Sequence, residues 1–214
     1  MIKYISLLCI LIIYITIHAY LNYTAQENAD KYYNDRINNN KTNPKVFDIM
    51  HKYLPYFKHS EWITNMMLVL TLIPLIYTND RNIYFDFVAL LIIVNIIRDI
   101  TINLTILPKN KECNPKDIGL IYSTIAGACY DKIFSGHFAF VLLLSLLYNS
   151  YSIISNVPVL IIWNIINGIL ILMTRSHYTI DILVSFLVCT LVFNEYMRDH
   201  YKLDEILYIL ENNK

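Results

Sequence analysis

Long apolar runs that are almost free of charge most strongly constrain how this chain can fold. The chain has 214 residues, of which 56% are apolar and only 16% charged, whereas a soluble domain of this size carries about a quarter charged residues. A helix that crosses about 30 Å of hydrocarbon needs roughly 20 mostly apolar residues. We therefore predict an all-α fold, an integral membrane bundle of about six transmembrane helices. The predicted spans are Ile5–Asn22, Trp62–Thr78, Ile83–Leu104, Gly136–Tyr151, Val157–Met173 and Thr179–Met197.

The spacing of these runs divides the chain into three parts. Residues 1–60 hold the first span and a polar loop, with one surface helix expected around Pro44–Tyr56. Residues 61–197 form a five-helix membrane core that carries the chemical motifs, and residues 198–214 form a polar tail with a short amphipathic helix. The first run is similar to a signal peptide, but no clear small-residue cleavage site follows it, which favours a retained helix.

An even number of spans places both termini on one side of the membrane. The long first loop, the loop from Pro108 to Ser135 and the turn from Thr174 to Tyr178 then meet at the opposite face. Most basic residues fall on this loop side, and the positive-inside tendency would place that side in the cytosol. Many of them lie in the first loop among acidic residues, so charge alone leaves the orientation open.

The approach to the fourth span carries the first chemical motif, Ser135-Gly136-His137. Such a turn at a helix start exposes backbone N–H groups to an anion, the glycine permits close approach, and the helix dipole favours negative charge. We therefore predict that Ser135 and Gly136 bind substrate and that His137 is catalytic. Asp131, in the same approach, is either a further active-site carboxylate that binds substrate or an ordinary loop residue.

The turn that opens the last span carries the second motif. His177 and Asp181 are four residues apart, so on a helix they share one face. An aspartate there holds an imidazole in one tautomer and stabilises it once it is charged. Arg175, two residues earlier, is a candidate clamp for a substrate phosphate. Two imidazoles, a carboxylate and cationic groups suit phosphoryl transfer through a covalent phosphohistidine.

Ionisable residues near the end of the third span form the third feature. A charge at membrane depth is unfavourable unless it faces a polar cavity or a partner. Arg98 is therefore predicted to bind the substrate phosphate. The structural alternative is that Arg98 pairs with Asp86 or Asp99 and holds the bundle together.

The remaining polar residues indicate no second site. We expect the other four histidines, which are His18, His51, His59 and His200, to be incidental. Two histidines and an aspartate are able to bind zinc, but no Cys or His pair stands at ligand spacing, so neither metal nor cofactor is predicted. The net charge is zero, with 17 basic and 17 acidic residues, so nothing indicates a nucleic-acid partner.

These motifs resemble those of the sphingomyelin synthase family, within the wider type 2 phosphatidic acid phosphatase group. The family's third motif is Cys-Gly-Asp, three residues, then Ser-Gly-His-Thr, and Cys129–Phe138 matches its spacing. The fourth motif, His-Tyr-Thr/Ser-x-Asp, matches His177–Asp181. The second motif is similar over Arg98–Lys116, and the first is faintly similar at Pro44–Pro55. The resemblance covers residues 44–197.

The resemblance implies a reaction, its partners and a topology. By similarity, His177 attacks the phosphodiester of a phospholipid, Asp181 orients it, and His137 protonates the departing diacylglycerol. Ceramide then takes the phosphocholine or phosphoethanolamine, with no cofactor. The family topology implies cytosolic termini and a lumenal or extracellular site in the Golgi, the ER or the plasma membrane, and we adopt it over the diluted charge signal. The oligomeric state stays open.

This chain departs from the family motifs at two positions. Tyr130 stands where the third motif has glycine, and Phe138 stands where it has threonine. Both positions lie near the predicted catalytic groups, where a changed side chain is expected to affect the choice of substrate. Cys113 and Cys129 flank one polar loop and are able to pair if that loop faces an oxidising compartment, as the implied topology would have it.

Three other functions stay open. A lipid phosphatase or phospholipase C-like hydrolase would share the first step and use water as the acceptor. The Lys-x6-Arg-Pro motif of the wider phosphatase group is not evident, which favours the synthase branch. A non-catalytic lipid-binding scaffold would have no need of His137, His177 and Asp181 together. A transporter would rest only on the ionisable residues in the apolar runs.

Overall fold

The computed structural model describes residues 2–39, 46–57, 61–108, 130 and 132–212. Within these residues the chain forms seven α-helices and no strand, which confirms the all-α fold. The helices in chain order are α1 (Ile2–Asn38), α2 (Ile49–Tyr53), α3 (Glu61–Tyr77), α4 (Asn82–Leu104), α5 (Gly136–Ser150), α6 (Val157–Met173) and α7 (Thr179–Asn212).

Two helices are longer than the sequence predicted, and one is shorter. α1 continues to Asn38 through the first part of the predicted polar loop, and α7 continues to Asn212, so the tail is not a separate helix. Neither extension contains a proline or a glycine, so nothing in the local sequence ends these helices. The predicted surface helix covers only Ile49–Tyr53, because Leu54 is extended before Pro55.

The outer surface of the bundle is apolar. On α6, Ile161, Ile162 and Ile165 are more than half exposed, as expected of a helix that faces hydrocarbon. Within the described residues, Asn82–Leu104 and Thr179–Asp199 are long and apolar enough to cross a membrane, while α3, α5 and α6 are apolar but shorter. The architecture is thus compatible with a membrane protein, and the number of six spans stays a prediction.

α5 is the central helix of the bundle. Its Leu143, Leu144 and Leu147 are fully buried, and it packs against α3, α4, α6 and α7. α1 packs on α4 at the edge of the bundle. Although α6 and α7 are consecutive, both pack on α5 and make little contact with each other. A gap is therefore left between α6 and α7 above the surface of α5.

One end of the bundle gathers the polar residues that the motifs contain. Short turns at residues 78–81 and 151–156 join antiparallel neighbours at one end. The starts of α3, α5 and α7 therefore lie at the other end, together with the last turns of α4 and α6. Contacts between Asn65 and His137 and between Phe57 and Met173 join these termini. We call this end of the bundle the loop end.

A buried carboxylate ties three segments together at the opposite end. Asp86 of α4 accepts a hydrogen bond from the Tyr151 hydroxyl at 2.5 Å, and a second from the Tyr196 hydroxyl at 2.9 Å. Only 2% of Asp86 is exposed, so these bonds compensate for much of its lost hydration. Asp86 therefore has a structural role, and it is not the partner of Arg98.

Replacement of Asp86 should weaken the fold without touching the loop end. Asp86→Ala removes the shared acceptor of two tyrosine hydroxyls, and a buried donor that loses its acceptor costs about 1–3 kcal/mol. We expect the free energy of unfolding to fall by about that amount, measured by thermal unfolding in detergent. Tyr151→Phe removes only one of the two bonds and should have a smaller effect. An unchanged melting temperature in Asp86→Ala would contradict this role.

Candidate active site

His177 and Asp181 form a buried pair where α7 begins. His177 lies in the loop between α6 and α7, and its Nδ1 donates a hydrogen bond to Asp181 Oδ2 at 3.0 Å. His177 is 6% exposed and Asp181 is fully buried. Because Nδ1 carries the proton in this bond, the lone pair of the neutral ring is on Nε2. The predicted four-residue spacing therefore places an oriented imidazole at the loop end.

Two backbone N–H groups fix the Asp181 carboxylate from different loops. Tyr178 N donates to Oδ2 at 2.9 Å, and Ile133 N donates to Oδ1 at 2.8 Å. Ile133 has a φ of 78°, a left-handed conformation that is strained for a β-branched residue. The approach to α5 thus adopts an unfavourable turn where it supplies a hydrogen bond to the aspartate.

The start of α5 is joined to the start of α7 through two serines. Ser135 is the N-cap of α5, and its hydroxyl accepts a hydrogen bond from Phe138 N. Ser135 N donates to Ser185 Oγ at 2.7 Å, and Ser185 Oγ donates to the Asp181 carbonyl at 2.7 Å. Ser135 is fully buried. These contacts give Ser135 a structural role, and its predicted contact with substrate stays a prediction.

His137 is held by a residue that the motifs did not identify. His137 is the second residue of α5, and its Nε2 donates to Asn65 Oδ1 of α3 at 2.9 Å. The amide oxygen only accepts, so Nε2 carries a proton in this bond. Asn65 therefore fixes the plane of the imidazole at the helix start.

Arg98 lies beside Gly136 at the start of α5. A Cβ at Gly136 would lie 3.7 Å from Arg98 Nε, in ordinary van der Waals contact, so the guanidinium lies directly beside the helix terminus. Arg98 Nη1 also donates to Asn22 Oδ1 at 3.2 Å and lies 3.6 Å from Asp99 Oδ1. Arg98 thus pairs with Asp99, as the structural alternative predicted, and also reaches the loop end.

His18 belongs to the same buried network and so has a structural role, while the expectation that it is incidental to the chemistry stays a prediction. Its Nδ1 donates to Asp99 Oδ2 at 2.8 Å, and its Nε2 accepts from Asn22 Nδ2 at 3.0 Å. The network links α1 to α4 across their interface. His18 therefore helps to hold the carboxylate that pairs with Arg98.

A segment that we call the strap, residues 46–57, lies over the loop that carries His177. Asp48 accepts hydrogen bonds from Thr179 N at 2.6 Å, from Thr179 Oγ1 at 2.8 Å and from His51 N at 2.9 Å. One carboxylate thus caps the N-termini of both α2 and α7. Phe57 N donates to the Met173 carbonyl at 3.0 Å. The strap is therefore fastened on both sides of the His177 loop.

His51, another histidine expected to be incidental, contacts this loop directly. His51 Nε2 donates to the His177 carbonyl at 2.9 Å. Arg175 Nη2 donates to the carbonyls of His51 and Leu54 at 2.7 and 2.8 Å. In this structure Arg175 therefore holds the strap, and its predicted role as a phosphate clamp stays a prediction. The buried Lys132, which the motifs did not single out, donates to the Ser176 carbonyl.

The electrostatics of the strap favour a charged Asp48 and a neutral His51. Burial alone would raise the pKa of Asp48, but the bonds from Thr179 and His51 together hold it below its usual value. Burial lowers the pKa of His51, Asp48 opposes that shift, and Arg175 adds to it. Both groups therefore bind protons less readily in the folded protein than in the unfolded chain.

Several predictions fall outside the described residues. They concern Asp131, Cys113, Cys129, His59 and the side chain of His200. The active-site carboxylate proposed for Asp131 and the disulfide between Cys113 and Cys129 therefore stay predictions. Across the described part of the chain, no three His, Cys, Asp or Glu side chains gather to hold a metal ion. That the protein needs no metal stays a prediction.

A family model matches the part of the chain that contains the His177–Asp181 pair. The family model described as PAP2 superfamily C-terminal matches residues 128–198. This stretch contains His137, His177 and Asp181 but not Arg98 or the strap. No curated protein matches the chain. The match supports the PAP2-like superfamily and indicates a lipid enzyme of the phosphatase or phosphotransferase type.

Asp48 should act as a positioning residue for His177. Asp48→Ala removes the shared cap of α2 and α7, and misplacement of a catalytic group by about 1 Å costs roughly 10²-fold in rate. We expect kcat to fall by about 10- to 100-fold with a smaller change in KM, measured as turnover of the lipid substrate. Asp48→Asn keeps one acceptor oxygen and should recover part of the rate. Equal rates for Asp48→Ala and the wild type would exclude this role.

The stability of the wild type relative to Asp48→Asn should depend on pH. The folded-state pKa of Asp48 is lowered, so its stabilisation is present above the unfolded value near 4 and is lost as the pH falls through the lowered pKa. The advantage of the wild type over Asp48→Asn in thermal unfolding should therefore shrink on acidification below about pH 4. An advantage that does not change with pH would show that the Asp48 charge is not responsible.

Proposed function

We propose that the protein is a membrane phosphotransferase that moves phosphocholine or phosphoethanolamine from a glycerophospholipid to ceramide through a phosphohistidine. The observation that carries the proposal is the buried His177–Asp181 pair, whose Nδ1–Oδ2 bond at 3.0 Å leaves Nε2 as the nucleophile. His137, held by Asn65, supplies a second imidazole at the same end of the bundle. The PAP2 superfamily match supports this reaction class.

In the first half-reaction, His177 Nε2 attacks the phosphorus of the phospholipid. The P–N bond forms as the bond between phosphorus and the diacylglycerol oxygen breaks. His137, in its charged form and with Nε2–H still bonded to Asn65, gives the proton on Nδ1 to that oxygen, so diacylglycerol leaves as a neutral alcohol. Asp181 stabilises the positive charge that develops on the His177 ring. Because Asp181 is held by two N–H groups, it does not need to reorient during the reaction.

In the second half-reaction, ceramide takes the place of diacylglycerol. Its primary hydroxyl gives a proton to His137 as its oxygen attacks the phosphorus, and the P–N bond breaks to restore His177. Arg98 lies beside the N-terminus of α5 at Gly136, where cationic and helix-dipole fields both favour a phosphate. On the topology of the resembling family, this end faces the lumen or the cell exterior, and both termini are cytosolic.

A lipid phosphatase or phospholipase C-like hydrolase is the second candidate. The superfamily match favours it as directly as it favours a transferase, since the superfamily contains both types. The two reactions share the phosphohistidine and differ only in whether water or ceramide accepts the phosphoryl group. A lipid assay that scores both acceptors therefore separates them.

The decisive assay gives purified protein fluorescent ceramide together with phosphatidylcholine or phosphatidylethanolamine and separates the lipids by chromatography. A transferase yields a fluorescent phosphosphingolipid, and the donor that works names the headgroup. Diacylglycerol with free phosphocholine or phosphoethanolamine, and no new sphingolipid, would show the hydrolase instead. A folded protein with no product from any donor would contradict both.

Three variants test the assigned roles in this assay. His177→Ala should abolish turnover, because no nucleophile remains. Asp181→Asn should lower the rate by about 10³- to 10⁴-fold, by analogy with damage to hydrolytic triads. His137→Gln should slow headgroup transfer by roughly 10²- to 10⁴-fold, because the leaving alkoxide then lacks its acid. Near-normal turnover in any of the three would remove that residue from the mechanism.

A further inference from the structure

A groove runs along the gap between α6 and α7, with α5 as its floor. Its volume is about 410 Å³, and apolar side chains such as Leu142, Ile165 and Phe186 form most of its lining. This volume is within the range of pockets that hold small ligands. The groove exists because α6 and α7 both pack on α5 rather than on each other.

The end of the groove nearest the loop end is lined by the chain neighbours of two predicted catalytic residues. Phe138 follows His137 in the chain, Ile182 follows Asp181, and both line the groove. Gly168 of α6 faces them, and a Cβ at this position would lie 3.4 Å from the Phe138 ring and 3.6 Å from Ile182 Cγ2. A longer side chain would occupy this space, so glycine keeps the groove open toward the loop end.

The groove is long and narrow in relation to its volume. It extends along α6 from Leu172 near the loop end to Val157 at the opposite end, a distance of about 22 Å at 1.5 Å per residue. A slot of this shape and lining fits one extended hydrocarbon chain, whereas a hydrated headgroup would lose its hydrogen bonds there. The outer wall is open to the surroundings, since Ile161 and Ile165 are more than half exposed.

We propose that this groove holds one hydrocarbon chain of the lipid alcohol that His137 serves, and this proposal rests on the proposed function. The departing oxygen lies at His137, and the next residue, Phe138, is the floor of the groove. The attacking oxygen of ceramide must take the position of the departing oxygen, since the second half-reaction is the first in reverse. The chain of diacylglycerol and the chain of ceramide therefore occupy the same groove in turn.

This arrangement gives the lipid a lateral path into the site. The gap between α6 and α7 opens toward the bilayer, and the loop that carries His177 joins these two helices at the loop end. A chain can enter sideways between the helices while its polar end stays under the loop. Product and acceptor are thereby exchanged within the membrane, without a chain passing through water.

A matched pair of variants tests the groove. Ile165 lines it and is 55% exposed, whereas Ile166 is 43% exposed and does not line it. Tryptophan at Ile165 should obstruct the groove from outside the core, and Ile166→Trp adds the same bulk elsewhere on α6. We expect Ile165→Trp to lower turnover of palmitoyl substrates by roughly tenfold, as an obstruction in an apolar pocket does. We expect Ile165→Trp to turn over hexanoyl substrates at nearly the wild-type rate.

Ile166→Trp should match the wild type with both chain lengths. The proposal would be overturned if the two variants lowered turnover of palmitoyl substrates equally. It would also be overturned if Ile165→Trp lowered turnover of hexanoyl substrates as much as that of palmitoyl substrates. Gly168→Leu fills the end of the groove nearest the loop end, and the folded variant should show the same chain-length selectivity.

A second measurement tests the groove even if the proposed reaction fails. Phosphatidylcholine with a photoreactive diazirine in one chain is crosslinked to the protein, and the adducts are mapped by mass spectrometry. Adducts should concentrate on the groove-facing residues of α5, α6 and α7 and decrease in Ile165→Trp but not in Ile166→Trp. Adducts spread evenly over the outer faces of α3 and α4 would overturn the groove, whatever the lipid assay shows.

Discussion

The burial of the Asp181 carboxylate is the constraint on which the site depends. A carboxylate with no exposed surface is stable only if its oxygens accept hydrogen bonds. His177 Nδ1, Tyr178 N and Ile133 N supply them from two separate loops. The bonds that make burial tolerable therefore also orient the imidazole and fix the approach to α5. Ile133 and Arg175, in these same loops, both have positive φ, so backbone strain is concentrated around the carboxylate.

The other polar residues of the loop end are each held by a helix distant in sequence. His137 of α5 is held by Asn65 of α3, and Arg98 of α4 contacts Asn22 of α1. His18 of α1 binds the aspartate next to Arg98. His137, His177 and Asp181 lie within the matched superfamily stretch, as do the N–H groups that hold Asp181. Asn65, Asn22 and Asp48 lie outside it, so part of the positioning comes from the rest of the bundle.

The sequence predicted the parts of the fold and site that depend on local periodicity. Spacing of four residues was sufficient to pair His177 with Asp181, and the apolar runs predicted most helix starts. The contribution of Asp48 could not be predicted, because the residues it joins are 131 positions apart, and an aspartate before a short helix is common. The structural contact of His18 could not be predicted either, because its partner is on another helix and its own surroundings in sequence show only an apolar run. The lengths of α1 and α7 were underestimated because polarity was taken to end a helix, whereas a polar stretch with no helix-breaking residue can continue one.

The junction between Ser135 and Ser185 has a mechanical consequence. It joins α5 to α7 one residue from Gly136 and one turn from Asp181, because Ser135 N donates to Ser185 Oγ at 2.7 Å and Ser185 Oγ is 3.3 Å from the Ser135 carbonyl. Helices in bilayers of different thickness adjust by tilting, and tilting displaces the ends of two helices least where they are fastened together. The junction therefore holds the starts of α5 and α7 together, so a change in the angle between these helices displaces their far ends more than it displaces His137 and Asp181.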